Sequence, residues 1–193
     1  MPNVNHSVLT DPNLHEPKGI ATAAIDKVYV ADGVGGGDWL LPAGSAYGEI
    51  YISGGTTAFI LASASAYTKL APTGGWGENG HHNITLSGSN SQFTVLVSGV
   101  YYLNFWAHFT TAAAASGSSY NFKYAVNGTT GTRLVGITKP TNGTDGLNVH
   151  ASGLVTLSAN DVISMYVAGD GTTSGTAITV KESGLSAIML KVA

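Results

Sequence analysis

From Tyr47 to the C-terminus the sequence is a succession of short segments in which apolar and polar residues alternate, each closed by glycine, asparagine or serine. No stretch carries the 3.6-residue period of an amphipathic helix. A period of two broken by turn residues is the pattern of strands in a sandwich or barrel. Strands are predicted over 47–53, 57–61, 67–70, 83–86, 92–97, 100–110, 120–126, 132–139, 147–157, 161–168 and 177–192, the last broken near Gly184. Ala112 to Ala115 is too short for a stable helix and reads as a loop.

The first 46 residues follow a different rule. Met1 to Gly19 contains Pro2, Pro12 and Pro17 and has neither period, so it reads as an extended arm. Ile25 to Ala31 predicts one short strand, Asp32-Gly33 a turn, and Gly35-Gly36-Gly37 a flexible joint. The expected division is an arm over 1–46 and a head over 47–193.

Within the head, one strand shows the ordinary half-wet pattern. In 120–126, Tyr120, Phe122, Tyr124 and Val126 share one side while Asn121, Lys123 and Ala125 share the other. Three others are apolar on both sides. Val100 to Thr110 places Tyr101, Leu103, Phe105, Ala107 and Phe109 on one parity, yet Tyr102 and Trp106 flank Asn104 and His108 on the other. In 177–192, Leu185, Ala187 and Met189 oppose Ile188 and Leu190, and in 161–168 Tyr166 lies opposite Ile163, Met165 and Val167. A sheet built of such strands must be covered on its outside. With no helix to do it, a second subunit is expected there, with Tyr102, Trp106, His108, Tyr166, Ile188 and Leu190 as contact residues. His108 beside its own copies would resist simultaneous protonation, so acid is expected to loosen that contact.

Charge and composition narrow the partners. Eight Lys+Arg stand against eleven Asp+Glu with no run of either sign, so a nucleic-acid partner is not expected. With no cysteine there is no disulfide framework and no thiolate chemistry. Met1 to Ile20 lacks a basic start and an apolar run, so no secretory leader is expected, and no window is long and apolar enough to predict membrane insertion.

The candidate chemical motifs are weak. Gly33 to Gly37 follows a strand but leads into Trp39-Leu40-Leu41-Pro42 rather than a helix, which argues against a dinucleotide site. His81-His82 would point to opposite sides of a strand, with only Glu78 near, so no metal is expected. No Gly-x-Ser-x-Gly elbow and no spaced carboxylate pair occurs, so no enzyme activity and no cofactor is expected. The sequon at Asn127-Gly128-Thr129 reads as a polar turn. Trp76, between Gly74-Gly75 and Gly77, reads as an exposed ring and the best candidate contact for a host-surface glycan.

Gly48 to Leu70, Ser98 to Thr110 (SGVYYLNFWAHFT), Tyr120 to Thr129 and Leu154 to Gly169 (LVTLSANDVISMYVAG) resemble, in order and spacing, the tumour-necrosis-factor/C1q-like jelly rolls found in many phage virion proteins. The segment Leu9 to Gly33 is similar to a short module at the start of phage capsid-fibre, decoration and tail proteins. The resemblance implies an all-β antiparallel jelly-roll sandwich that forms a homotrimer. It further implies a capsid decoration or head-fibre protein, made in the host cytoplasm and placed on the virion. The arm would be its anchor, through Asp11, Pro12, Leu14, His15, Glu16, Pro17, Lys18, Val28, Tyr29, Val30 and Asp32, to the major capsid protein or another virion protein. The alternative is a tail-fibre or tail-tip adhesin that binds host glycan.

Overall fold

The computed structural model describes residues 27–31, 34, 37–42, 45–56, 58–61, 65–111, 119–139, 146–170 and 177–192. Asp11, Pro12, Leu14, His15, Glu16, Pro17, Lys18 and Asp32 lie outside them. The chain forms two compact units, Met1–Pro42 and Ala43–Ala193.

In the first unit, β1 (Val28–Ala31) and β2 (Gly37–Leu40) form an antiparallel pair with Tyr29 opposite Trp39. Their rings meet edge to face at 5.4 Å. The flexible joint expected at Gly35–Gly37 is corrected at its last residue. Gly37 is a strand residue, and a methyl group there would lie 2.9 Å from the Tyr29 ring, so it is glycine for close approach rather than for freedom.

The second unit contains β3 (Tyr47–Ser53), β4 (Phe59–Ile60), β5 (Thr68–Lys69), β6 (Gly77–Glu78), β7 (Ile84–Ser87), β8 (Gln92–Val95), β9 (Gly99–Thr111), β10 (Tyr120–Val126), β11 (Thr129–Thr138), β12 (Gly146–Leu157), β13 (Val162–Ala168) and β14 (Ala177–Val192). A 3-10 turn, Gly88–Asn90, links β7 to β8. Two six-stranded sheets result, both antiparallel. The first runs β12-β9-β14-β3-β6 with β4 on β14, and the second runs β11-β10-β13-β8-β7 with β5 on β13. Asn127 and Gly128 both take positive φ (51° and 79°) and close the β10–β11 hairpin, the geometry that selects Asn-Gly. The Asn127 amide also donates to Asp161 Oδ1 at 2.8 Å and accepts from the Val162 N–H at 2.9 Å.

The core follows the expected parity of β9. Tyr101, Leu103, Phe105, Ala107 and Phe109 are all buried, facing Phe93, Tyr120, Phe122, Ile163 and Met165 of the second sheet. Phe122 packs at 5.7 Å from Phe105 and 5.2 Å from Phe109, joining the two sheets through three rings. One strand departs from simple alternation: β10 shifts register against β11 between Lys123 and Ala125, and Ala125 is buried while Tyr124 is only half-buried. The break expected in the last strand does not occur. β14 runs unbroken through Gly184, with register shifts at 180–182 and 189–191 instead.

Tyr101 is fully buried and its hydroxyl donates to the Val97 carbonyl at 2.7 Å. Burial pushes its pKa from 10 up to about 12. A phenol held neutral in the folded state but free to ionise when unfolded contributes stability that is full below pH 10 and is lost as pH rises towards 12. In a spectrophotometric alkaline titration, at least one of the nine tyrosines should ionise late and together with unfolding. Tyr101→Phe should remove that late component.

Candidate functional site

The outer face of the first sheet carries Tyr102, Trp106, His108 and Ile188, four of the residues that sequence reasoning assigned to a contact. The register aligns side chains of β3, β14, β9 and β12 in rows across four strands. Tyr47, Ile188, Tyr102 and Leu154 form an apolar row, exposed by 45%, 48%, 39% and 56%. Glu49, Ser186, Asn104 and Ser152 form the next, a polar one. Tyr51, Gly184, Trp106 and His150 form a third, in which Tyr51 and Trp106 are 39% and 37% exposed. Ser53, Glu182, His108 and Asn148 complete the set. A water-facing sheet does not ordinarily place large apolar side chains side by side over four strands.

Glycines set how the rings lie. A methyl on Gly184 would meet Trp106 Nε1 at 2.5 Å, and one on Gly77 of β6 would meet the Tyr51 ring at 2.7 Å. One on Gly146 would meet the His108 ring at 2.8 Å. Each ring therefore lies over a glycine of the neighbouring strand, replacing the side chain that glycine lacks. Between Tyr51 and Trp106 this leaves a cleft of about 440 Å³ lined also by Glu49, Ser53, Asn79 and Glu182. Asn79 donates to Glu49 Oε2 at 3.1 Å.

Both histidines of the face are held by amides. His108 Nδ1 lies 3.0 Å from Asn148 Oδ1 and His150 Nε2 lies 2.7 Å from Asn104 Oδ1. With the amide oxygens as acceptors, the contacting ring nitrogens are the donors. At the margin, His82 exchanges two backbone hydrogen bonds with Tyr47, at 2.9 and 2.8 Å, and stacks on its ring at 6.3 Å. No group of three metal-ligating side chains occurs among the described residues.

Two assignments are corrected. Tyr166 is not a neighbour of Trp106. It lies on β13 in the second sheet, opposite Lys123 and Lys69, because β13 pairs with β10, β8 and β5. There Lys123 sits over the Tyr67 ring at 4.7 Å. Lys69 donates to Gln92 at 2.5 Å, and burial lowers its pKa. Trp76 is not an exposed ring. It is 5% exposed and its indole N–H donates to the Leu70 carbonyl at 3.1 Å, so it has no free face to stack on a sugar. Leu190 is exposed as expected, but sits in the β14 irregularity beyond the apolar row. Val28, Tyr29 and Val30 lie in β1, with both valines 45% exposed. Glu49 and Glu182 were missed, because carboxylates on alternating strands read as ordinary solvent-facing residues until the register sets them beside Trp106 and His108.

No protein-family model and no curated protein sequence matches the chain. Among solved structures it is similar to Eiger TNF from S. frugiperda, at 14% identity over 77% of this chain and 95% of that one, with a TM-score of 0.52. It is also similar to the globular domain of zebrafish complement 1qA, at 13% identity over 77% and 99% of the two chains, with a TM-score of 0.45. Murine APRIL matches at 13% identity over 75% and 99%, with a TM-score of 0.45. With two antiparallel sheets packed face to face, the head of this protein has a TNF-like jelly-roll fold.

Proposed function

We propose that the protein is a homotrimeric structural component of a tailed-phage particle, a capsid decoration or head-fibre protein, that assembles through the outer face of the first sheet. The observation that carries the self-association is the pair of rows Tyr47–Ile188–Tyr102–Leu154 and Tyr51–Gly184–Trp106–His150, which leave apolar side chains exposed across four strands. The placement on a particle is supported by the similarity of Leu9 to Gly33 to the modules that begin phage decoration and fibre proteins. The role is adhesive and architectural rather than catalytic. Three arms on one head act together, because the first to dock raises the effective concentration of the others.

The test measures mass and particle binding together. Light scattering at micromolar concentration should give three times the monomer mass of 19.7 kDa. Removing residues 1–42, the first compact unit, should leave that mass ratio unchanged but abolish co-sedimentation with particles that lack the protein. A monomer or dimer would refute the trimer, and particle binding without the arm would show that the head attaches.

A further inference from the structure

The sequence holds three Asn-Gly pairs, Asn79-Gly80, Asn127-Gly128 and Asn142-Gly143, of which the first two lie within the described residues. Asparagine before glycine is prone to cyclise, because no side chain on the second residue keeps its backbone nitrogen from the asparagine carboxamide. Both described pairs are exposed, and each asparagine directly follows a strand, β6 or β10. Exposure therefore does not separate them. What separates them is where the carboxamide is held.

At Asn79 the side chain turns onto its own successor. The Gly80 N–H donates to Asn79 Oδ1 at 2.8 Å, so the attacking nitrogen already rests against the carboxamide it must attack. Glu49 keeps that carboxamide in place: its Oε2 accepts from Asn79 Nδ2 at 3.1 Å, and its backbone carbonyl accepts the Asn79 N–H at 3.0 Å. A methyl group on Gly80 would meet nothing within 4 Å, so the approach is open. At Asn127 the carboxamide is turned away, onto the start of β13. Its Oδ1 accepts from the Val162 N–H at 2.9 Å and its Nδ2 donates to Asp161 Oδ1 at 2.8 Å, so both ends must let go before it can meet the Gly128 nitrogen.

We propose that Asn79-Gly80 is a site of spontaneous covalent modification, deamidation through a cyclic imide, and that the fold protects Asn127-Gly128 from the same reaction. The Gly80 nitrogen gives its proton to a solvent base and bonds to Asn79 Cγ, while the Cγ–Nδ2 bond breaks and Nδ2 leaves as ammonia with a proton from water. Water then opens the imide at either carbonyl, giving aspartate or isoaspartate. Water is consumed, ammonia is released, and nothing is oxidised or reduced. The product sets a carboxylate beside Glu49 where a hydrogen-bond donor stood, on the wall of the cleft between Tyr51 and Trp106. In its isoaspartate form it also lengthens the backbone between the Asn79–Glu49 bond and the paired His82 and Tyr47. The change is one-way, so it marks the age of the molecule at the β3–β6 edge.

Peptide mapping by mass spectrometry on the full chain, aged in mildly alkaline buffer, tests this. Cleavage after Lys69, Lys123 and Arg133 puts the two sites in separate peptides. Asn79 should convert, with the isoaspartate labelled by an isoaspartyl methyltransferase. Asn127 should convert at least about tenfold more slowly, since two hydrogen bonds must open first. In the urea-unfolded chain the two should convert at similar rates. Gly80→Ala, whose added methyl has no neighbour, should slow Asn79 without changing the fold. An Asn79 that stays intact, or an Asn127 that keeps pace with it in the folded protein, overturns the proposal. A difference that persists in urea belongs to the sequence rather than the fold, and overturns the protection.

Discussion

Trp106→Glu should turn the trimer into a folded monomer at micromolar concentration. About a third of the indole is exposed, roughly 90 Å² of a large aromatic surface, and at about 25 cal/mol per Å² its burial is worth about 2 kcal/mol per subunit. Three copies multiply that figure, and the substitution does more than remove it. It adds three carboxylates to a face that already carries Glu49 and Glu182, inside a contact that excludes water. It also uncovers Gly184, whose backbone lies beneath the indole. Lys123→Glu is the control. Lys123 lies on β10 in the second sheet, so its replacement costs only the contact with Tyr67, on the order of 0.5–1 kcal/mol of stability, and should not change the mass. Sedimentation of the two variants decides. A Trp106→Glu protein that stays as firm a trimer as the parent would put this face outside the interface. The cleft beside Trp106 would then be free for a ligand, and the adhesin reading would gain the ring that Trp76 cannot supply.

Phe122→Ala should be the most damaging single truncation in the head, at about 3–5 kcal/mol. Phe122 is fully buried, stacked on Phe105 and tilted against Phe109, so its ring is where the second sheet grips the first. Neither neighbour can collapse into the hole, since both are fixed on β9 between β12 and β14. Denaturant unfolding at a fixed protein concentration should show a lower midpoint with an unchanged slope. A loss below about 1 kcal/mol would mean that the three rings do not carry the sheet contact.

Which residues of the face could be read from the sequence depended on what each pattern reports. Alternation fixed the strands well, because burial on one side imposes a period of two whatever the partners are, and Tyr47–Ser53, Tyr120–Val126 and Ala177–Val192 lie where the pattern puts them. The two-sided apolarity of β9 and β14 located the face, and the two strands are neighbours. Tyr166 went astray because such a pattern says that a strand is covered on both sides, not which sheet it joins. Trp76 was unreadable in another way. Its flanking glycines resemble an exposed loop, while its burial depends on a hydrogen bond to Leu70 that only the folded chain brings within reach. Gly184 looked like a break, because nothing local reveals that a ring from another strand lies over it.

The rings that lie over Gly184 and Gly77 border the cleft between Tyr51 and Trp106, and the face around that cleft is striped. Aromatic and carboxylate rows alternate every two residues, about 6.8 Å along the strand. A neighbour displaced by one stripe would press tyrosine and tryptophan against Glu49 and Glu182. In a trimer built on this face, the stripes would work like a printed scale read by chemistry, with one setting in which every mark meets its match.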